Sequence, residues 1–170
     1  VTTIISPCGT YRYTLTRRIP QVVRWVKPCL FVMLNPSVAD AAIDDPTIRR
    51  CIGFANRHLC TDLTVVNLFA LRATDPKQLQ ICQARSGDPS GPDNWRHFTD
   101  QITAHRLGVI IAAWGANPMA ATMPMHHQAL RDAGAQCLGV TKDGSPRHPL
   151  YVRADQPLVP WVTPEKASTL

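Results

Sequence analysis

Four polar clusters close apolar runs in this chain, and their residue types suit hydrolysis of a bond whose leaving group departs with negative charge. The first is Asn35-Pro36-Ser37, at the end of Leu30 to Leu34; the proline ends strand pairing and biases Asn35 toward an extended backbone. An asparagine amide is a poor general base, but its carbonyl oxygen can orient a water molecule. The second is Asn67, with Arg72 just beyond it. An amide offers a donor and an acceptor together, which suits reading a planar polar edge or, alternatively, satisfying local backbone. The third is Trp114-Gly115-Ala116-Asn117, and the fourth runs from Thr141 to Tyr151 and carries His148. An imidazole there can donate to a departing carbonyl oxygen, or be an ordinary surface-loop histidine.

Other groups compete for the chemistry. Asp44 and Asp45 form a rival pair, because carboxylates activate water or hold Mg²⁺ better than an amide does; Asp45 before Pro46 also reads as a helix N-cap. Lys142 is an amine nucleophile if desolvated, or a phosphate- or solvent-facing residue of the turn Lys142-Asp143-Gly144-Ser145. His126 and His127 are adjacent and point in different directions, which suits helix residues better than paired ligands. The six cysteines are scattered, with no Cys-x-x-Cys pair, and read mostly as reduced core thiols, the alternative being a metal cluster assembled from distant positions; no metal or other cofactor is expected.

The hydrophobic pattern supplies the elements that must position these groups. Leu30 to Leu34, Leu63 to Phe69, Leu107 to Ala113 and Ala135 to Val140 are short, continuous, β-rich runs, and Tyr11 to Leu15 alternates like an edge strand or hairpin. Ile48, Ile52, Ala55 and Leu59 recur at helical spacing, as do Trp95, Phe98, Ile102 and His105, and Met119 to Ala133 continues as a third helical pattern. The stretch from Arg72 to Asn94, rich in Pro, Gly, Asp and Ser, reads as a surface loop. Strands alternating with helices predict an α/β fold: a three-layer α/β/α sandwich with a central, mainly parallel four-stranded sheet. Ligands of such sheets bind beyond the carboxyl ends of the strands, where the four clusters fall.

A chain of 170 residues, 45% hydrophobic, is expected to form one domain (1–170, core about 22–161). No apolar stretch reaches the roughly 18 residues of a membrane span, and no charged-then-apolar signal opens the chain. The expectation is a cytoplasmic monomer without a membrane partner; the missing initiator Met points to a trimmed or incomplete terminus. Net charge is +6 and the pI about 9.3, which favours polyanions such as nucleic acid. Arg12, Arg17, Arg18, Arg24 and Lys27 gather near the start, Arg49, Arg50 and Arg57 on a helical pattern, and Lys142, Arg147 and Arg153 near the end; each group reads alternatively as a solvated face.

Together the clusters resemble the uracil-DNA glycosylase superfamily, whose members place a water-positioning Asp or Asn before Pro after the first strand. Leu34-Asn35-Pro36-Ser37 resembles the Asn-Pro version of mismatch-directed members, and Val65-Val66-Asn67-Leu68 with Arg72 resembles the segment whose Asn reads the flipped base. Ile110 to Gly115 resembles a strand and turn of the superfamily, and Arg147-His148-Pro149-Leu150 a shortened form of its His-Pro-Ser-Pro-Leu loop. The chain is also similar to a closer bacterial and phage family long described as of unknown function, through Leu34 to Ser37, Asp44 to Cys51, Asn67 with its neighbours, and Arg147 to Tyr151. A relative of this kind is implicated in phage defence by removing glucosylated hydroxymethylcytosine from phage DNA.

The resemblance implies a monofunctional DNA glycosylase that flips out a modified pyrimidine, hydrolyses its bond to deoxyribose and leaves an abasic site, with phage DNA as partner. It implies catalytic roles for Asn35 and His148, and places Asn67, Ser37 and Phe69 around the base, with Tyr11 an alternative to Phe69 for stacking. Arg49, Arg50, Arg72, Lys142, Arg147, Leu150 and Tyr151 are implied to meet DNA, Leu150 or Tyr151 filling the gap left by the flipped nucleotide. The chemistry agrees: breaking an N-glycosidic bond builds positive charge on the sugar and negative charge on the base, so groups that orient water and stabilise an anion suffice. The small residues Ala39, Ala41 and Ala42 suit an enlarged base. Two other classes use the same residues: a nucleotide- or nucleoside-processing hydrolase built on Asn35, Asp44 and His148, and a non-catalytic nucleic-acid-binding domain.

Overall fold

The apolar runs all enter one sheet, but the sheet extends well beyond them. The computed structural model describes residues 2–21, 24–37 and 44–162. In chain order it contains β1 (Thr2–Ile5), β2 (Arg12–Arg18), β3 (Pro28–Met33), α1 (Pro46–Arg57), β4 (Asp62–Asn67), α2 (Lys77–Ala84), α3 (Asn94–Ala104), β5 (Val109–Ala112), α4 (Pro124–Asp132), β6 (Gln136–Cys137) and β7 (Val159–Pro160). The strand order is β1-β2-β4-β3-β5-β6-β7. Parallel pairing is confined to β4, β3, β5 and β6, while β1, β2 and β7 add on antiparallel. The sheet is therefore seven-stranded and mixed, which corrects the expected four-stranded one. The physical reason is that β2 alternates Arg and Thr with apolar residues and β7 is two residues including a proline, so neither makes a continuous apolar run.

Helices cover both faces. Ile48, Cys51, Phe54 and Ala55 of α1 bury against Phe31, Met33, Leu63 and Val65 on one side. On the other, Leu79 of α2, Phe98 and Ile102 of α3 and Leu130 of α4 bury against Leu30, Val32, Val66 and Ile110. This alternation along each strand is what period-two side-chain placement requires of a sheet buried on both faces. The core begins earlier than residue 22, since Leu15 and Ile19 belong to it.

Three other expectations change. The expected loop from Arg72 to Asn94 contains α2, whose only fully buried side chain is Leu79, too little apolar periodicity to read as a helix. Met119 to Ala133 is split into a 3-10 turn, Pro118–Thr122, and α4, because Pro124 has no N–H with which to continue a helix across the break. Ala135 to Val140 supplies only the two residues of β6 before Gly139 turns the chain at φ +87°.

A bulge in β2 decides which way Arg12 faces. The pairing steps from Ile4 with Thr14 to Ile5 with Arg12, so β2 carries one extra residue at this point. Leu15 lies in the core under α1, and strict alternation would have turned Arg12 to the opposite face.

The paired histidines of α4 serve aromatic packing. His126 stands edge-on to Phe98 at 4.5 Å and to Trp95 at 5.0 Å, while His127 stacks on Trp114 at 4.9 Å. Burial, reinforced by the neighbouring His127, lowers the His126 pKa to about 4, and its Nε2 is buried without a partner. A folded-state pKa below the unfolded value near 6.5 means that its stabilising contribution is complete above the unfolded pKa and is lost as pH falls toward 4. Denaturant titrations across this window should therefore show stability falling with acid, with about 3 kcal/mol traceable to His126 once both forms are protonated. His126→Phe should flatten that slope, and an unaltered slope would remove His126 as its source.

Candidate functional site

A cavity of about 560 Å³ opens beyond the carboxyl ends of β3, β4 and β5, between the start of α1 and the loop 141–151. Its size lies within the usual range of small-molecule sites. Asn35 and Ser37 follow β3, Asn67 ends β4, Trp114 and Gly115 follow β5, and Thr141, Arg147, His148 and Tyr151 come from the last loop. Asp45 and Thr47 approach from the α1 N-terminus and Arg12 from β2.

Asn35 is half-buried and its orientation is fixed. Its Nδ2 donates to the Ala73 carbonyl at 2.8 Å and to the Pro36 carbonyl at 3.2 Å. The reverse orientation would set the amide oxygen against two carbonyl oxygens, so the amide nitrogen must take this side. Oδ1 then has no donor among the described residues, in a side chain that lines the cavity. Asn67 is only 3% exposed, and its amide likewise makes no hydrogen bond among the described residues. The strand end beneath it is held by Asn94, whose Nδ2 donates to the carbonyls of Asn67 at 3.1 Å and Leu68 at 3.0 Å.

His148 caps the 3-10 turn Pro149–Tyr151: its Nδ1 accepts from the Leu150 N–H at 3.3 Å. The neutral ring therefore carries its proton on Nε2, free to donate. Burial lowers its pKa, with the charge of Asp45 acting in the opposite direction, so the ring is neutral at pH 7. Gly115, at φ +77°, permits the close approach of this loop, since a Cβ there would sit 3.3 Å from the His148 Cβ. Its N–H donates to the Pro146 carbonyl at 2.9 Å.

Charged side chains implied to meet DNA have mostly internal tasks. Arg50 donates through Nε to the Pro149 carbonyl at 3.1 Å and through Nη2 to the Val152 carbonyl, and lies over the Phe54 ring. It ties α1 to the His148 loop. Arg49 donates to the Asp44 carbonyl, and Arg72 donates to the Gly9 carbonyl at 2.9 Å, away from the cavity wall. Lys142 is exposed in its turn and Arg147 is exposed at the cavity, with Nε donating to the Val140 carbonyl. Tyr151 is 81% exposed and lines the cavity; Leu150 is also exposed but does not line it.

Phe69 is 1% exposed within the core shared by α2 and α3, so its assignment to the base is corrected: no face is available for stacking. Tyr11 is no substitute, since it lies outside the cavity wall with its hydroxyl donating to the Asp88 carbonyl. The rival carboxylates separate. Asp44 pairs with Arg17 at 2.7 Å and does not line the cavity. Asp45 does line it, while accepting from the Ile48 N–H at 2.8 Å as the α1 N-cap and from the Ser37 hydroxyl at 3.0 Å. Ala39, Ala41 and Ala42 lie outside the described residues.

Arg12 and Asn94 are the residues that pattern reasoning missed. Arg12 looked like one of several basic residues near the start, and only the β2 bulge decides which face it takes. Asn94 stands in the sequence only as the end of an expected loop; nothing there signals that it buries against β4. Among the described residues no group of three or more His, Cys, Asp or Glu is placed to hold a metal ion, and no helix is long and apolar enough to cross a membrane.

A family described as a protein of unknown function (DUF1643) matches residues 12–150. No curated protein and no solved structure matches the chain.

If Arg50 holds the loop, Arg50→Gln should cost about 1–3 kcal/mol in denaturant unfolding, the usual size of lost charge-assisted hydrogen bonds. The exposed Arg49→Gln should stay within about 0.5 kcal/mol of the parent. Equal effects at the two positions would contradict the anchoring role.

Proposed function

We propose that this chain, which belongs to the DUF1643 family of proteins of unknown function, is a DNA glycosylase that hydrolyses the bond between deoxyribose and a flipped, modified pyrimidine. The observation that carries the reading is Asn35: an amide clamped by two carbonyls, with its oxygen unpaired at the cavity. Such an oxygen can hold and aim a water but cannot strip its proton, a division of labour suited to a reaction in which the sugar becomes cationic before attack.

In this mechanism the water on Asn35 Oδ1 is directed at the anomeric carbon. The carbon-nitrogen bond breaks with its electron pair going to the base, a carbon-oxygen bond forms to water, and the water proton passes to solvent or to the released base. Asn67 supplies one donor and one acceptor to the base edge, so a base lacking the matching groups leaves a buried amide unpaired. The Nε2–H of His148 donates to the oxygen on which negative charge collects. The leading substrate is glucosylated 5-hydroxymethylcytosine in phage DNA, by resemblance to the phage-defence glycosylase. The net charge of +6 and the exposed Arg147 and Lys142 support a polyanionic partner.

Mass spectrometry of bases released from phage DNAs with natural modifications tests the reading directly. Asn35→Ala should abolish release while largely sparing DNA affinity, and Asn67→Ala and His148→Ala should slow release by roughly ten- to a thousandfold. Release unchanged in all three variants would dismiss the site. The low pKa of His148 adds a pH signature. The rate should fall on acidification with a midpoint below the ordinary histidine value, about 6.5, because protonation puts a second N–H against that of Leu150. Lys142 does not line the cavity, so borohydride should trap no protein-DNA adduct.

A further inference from the structure

We infer that Arg12 makes this cavity an oxyanion site, built to take a phosphate group of a nucleotide ligand. Arg12 is 5% exposed, yet it lines the cavity. Among the described residues its side chain makes no hydrogen bond and no ion pair, and its Nε is buried without a partner. The Nη nitrogens are not among the buried unpaired atoms, so the accessible part of the guanidinium is the part that meets the cavity. A second buried arginine on the same strand shows the contrast: Arg17 meets Asp44 at 2.7 Å.

Among the described residues the one carboxylate whose charge reaches Arg12 is Asp45, against the like charges of Arg72 and Arg17, and both Asp45 oxygens are already engaged, by the Ile48 N–H and the Ser37 hydroxyl. Burial depresses the Arg12 pKa to about 10, which still leaves it charged at pH 7. A buried cation with no acceptor is destabilising, and such groups persist where a ligand completes them. The bulge in β2 has the same implication, since it is what turns this side chain to the cavity face. A guanidinium fork matches two oxygens of an oxyanion. Among the described residues that line the cavity, Arg147 adds a second guanidinium and Asp45 is the one carboxylate, a balance that suits a phosphate. Phosphate binding at Arg12 is independent of base excision.

Isothermal titration of inorganic phosphate, deoxycytidine 5′-monophosphate and deoxycytidine into the parent, Arg12→Met and Arg12→Lys tests it. The parent should bind the monophosphate at least about tenfold more tightly than deoxycytidine. Arg12→Met should lose about tenfold or more for both phosphate compounds and nothing for deoxycytidine, with Arg12→Lys between the two. Ligand-free Arg12→Met should also melt about 2–4 °C higher, because it no longer buries an unpaired charge. Equal phosphate affinity in the parent and Arg12→Met, or a methionine variant that fails to fold, would overturn the inference.

Two sources of the phosphate are separated by competition against the bound monophosphate. A 5′-phosphorylated oligonucleotide that displaces it better than the 5′-hydroxyl strand identifies a terminal phosphate, free or at a strand end. Equal displacement by both strands, weakened in Arg12→Met, identifies an internal strand phosphate. Arg12-dependent phosphate binding without base release would sink the glycosylase reading and leave this one standing.

Discussion

The register of β3 against β4 is the constraint on which the site depends. Met33 lies beside Asn67, and the pairing runs on past the strand ends through Leu68 N–H to Met33 O and Phe69 N–H to Leu34 O. That register places Asn35 two residues beyond Met33, next to the end of β4, with the Ala73 N–H bonded to the Pro36 carbonyl and the Asn35 amide bonded to the Ala73 carbonyl. A slip of one residue would turn Asn35 and Asn67 into the core under α2 and α3, where an unpaired amide is costly. The packing of Phe31, Met33, Leu63 and Val65 under α1 therefore holds the two amides at one cavity.

Around this fixed floor the remaining walls are held by polar contacts. Asp45 caps α1 and accepts from Ser37, so the helix start and the residue two beyond Asn35 are joined through one carboxylate. Arg50, on the next turn, reaches back to the carbonyls of Pro149 and Val152, and Gly115 lets the same loop approach β5 closely. The loop that carries His148 is consequently held from α1 and from the end of β5, and the ring itself by the Leu150 N–H. A loop position with that many anchors can keep one tautomer and one orientation, which donation to a developing anion requires.

Charge is distributed unevenly between structure and surface. Arg17, Arg49 and Arg50 are occupied within the protein, so the net positive charge overstates what is free to meet a polyanion. Among the described residues that line the cavity the exposed cation is Arg147, and the exposed Lys142 follows the lining Thr141 in the same loop. Arg12 belongs to neither class: it is buried like Arg17 but turned to the cavity like Arg147.

Composition and pattern by themselves determined the α/β class, the inner strands, α1 and α3, and the placing of Asn35, Asn67 and His148 at strand-end loops. Those features are local: an apolar run, a helical period or an Asn-Pro junction is written in adjacent residues. The antiparallel strands were harder to read, because β2, an inner strand between β1 and β4, alternates polar and apolar residues and β7 is two residues long. The helix α2 was hidden for a related reason, burying little but Leu79. Only the tertiary structure decided that Phe69 is core, that Arg50 is an anchor, that Asp44 and Asp45 part company, and that Arg12 faces the cavity. Each of these turns on a partner far away in the chain or on a single bulge, and residue type and spacing carry no record of either.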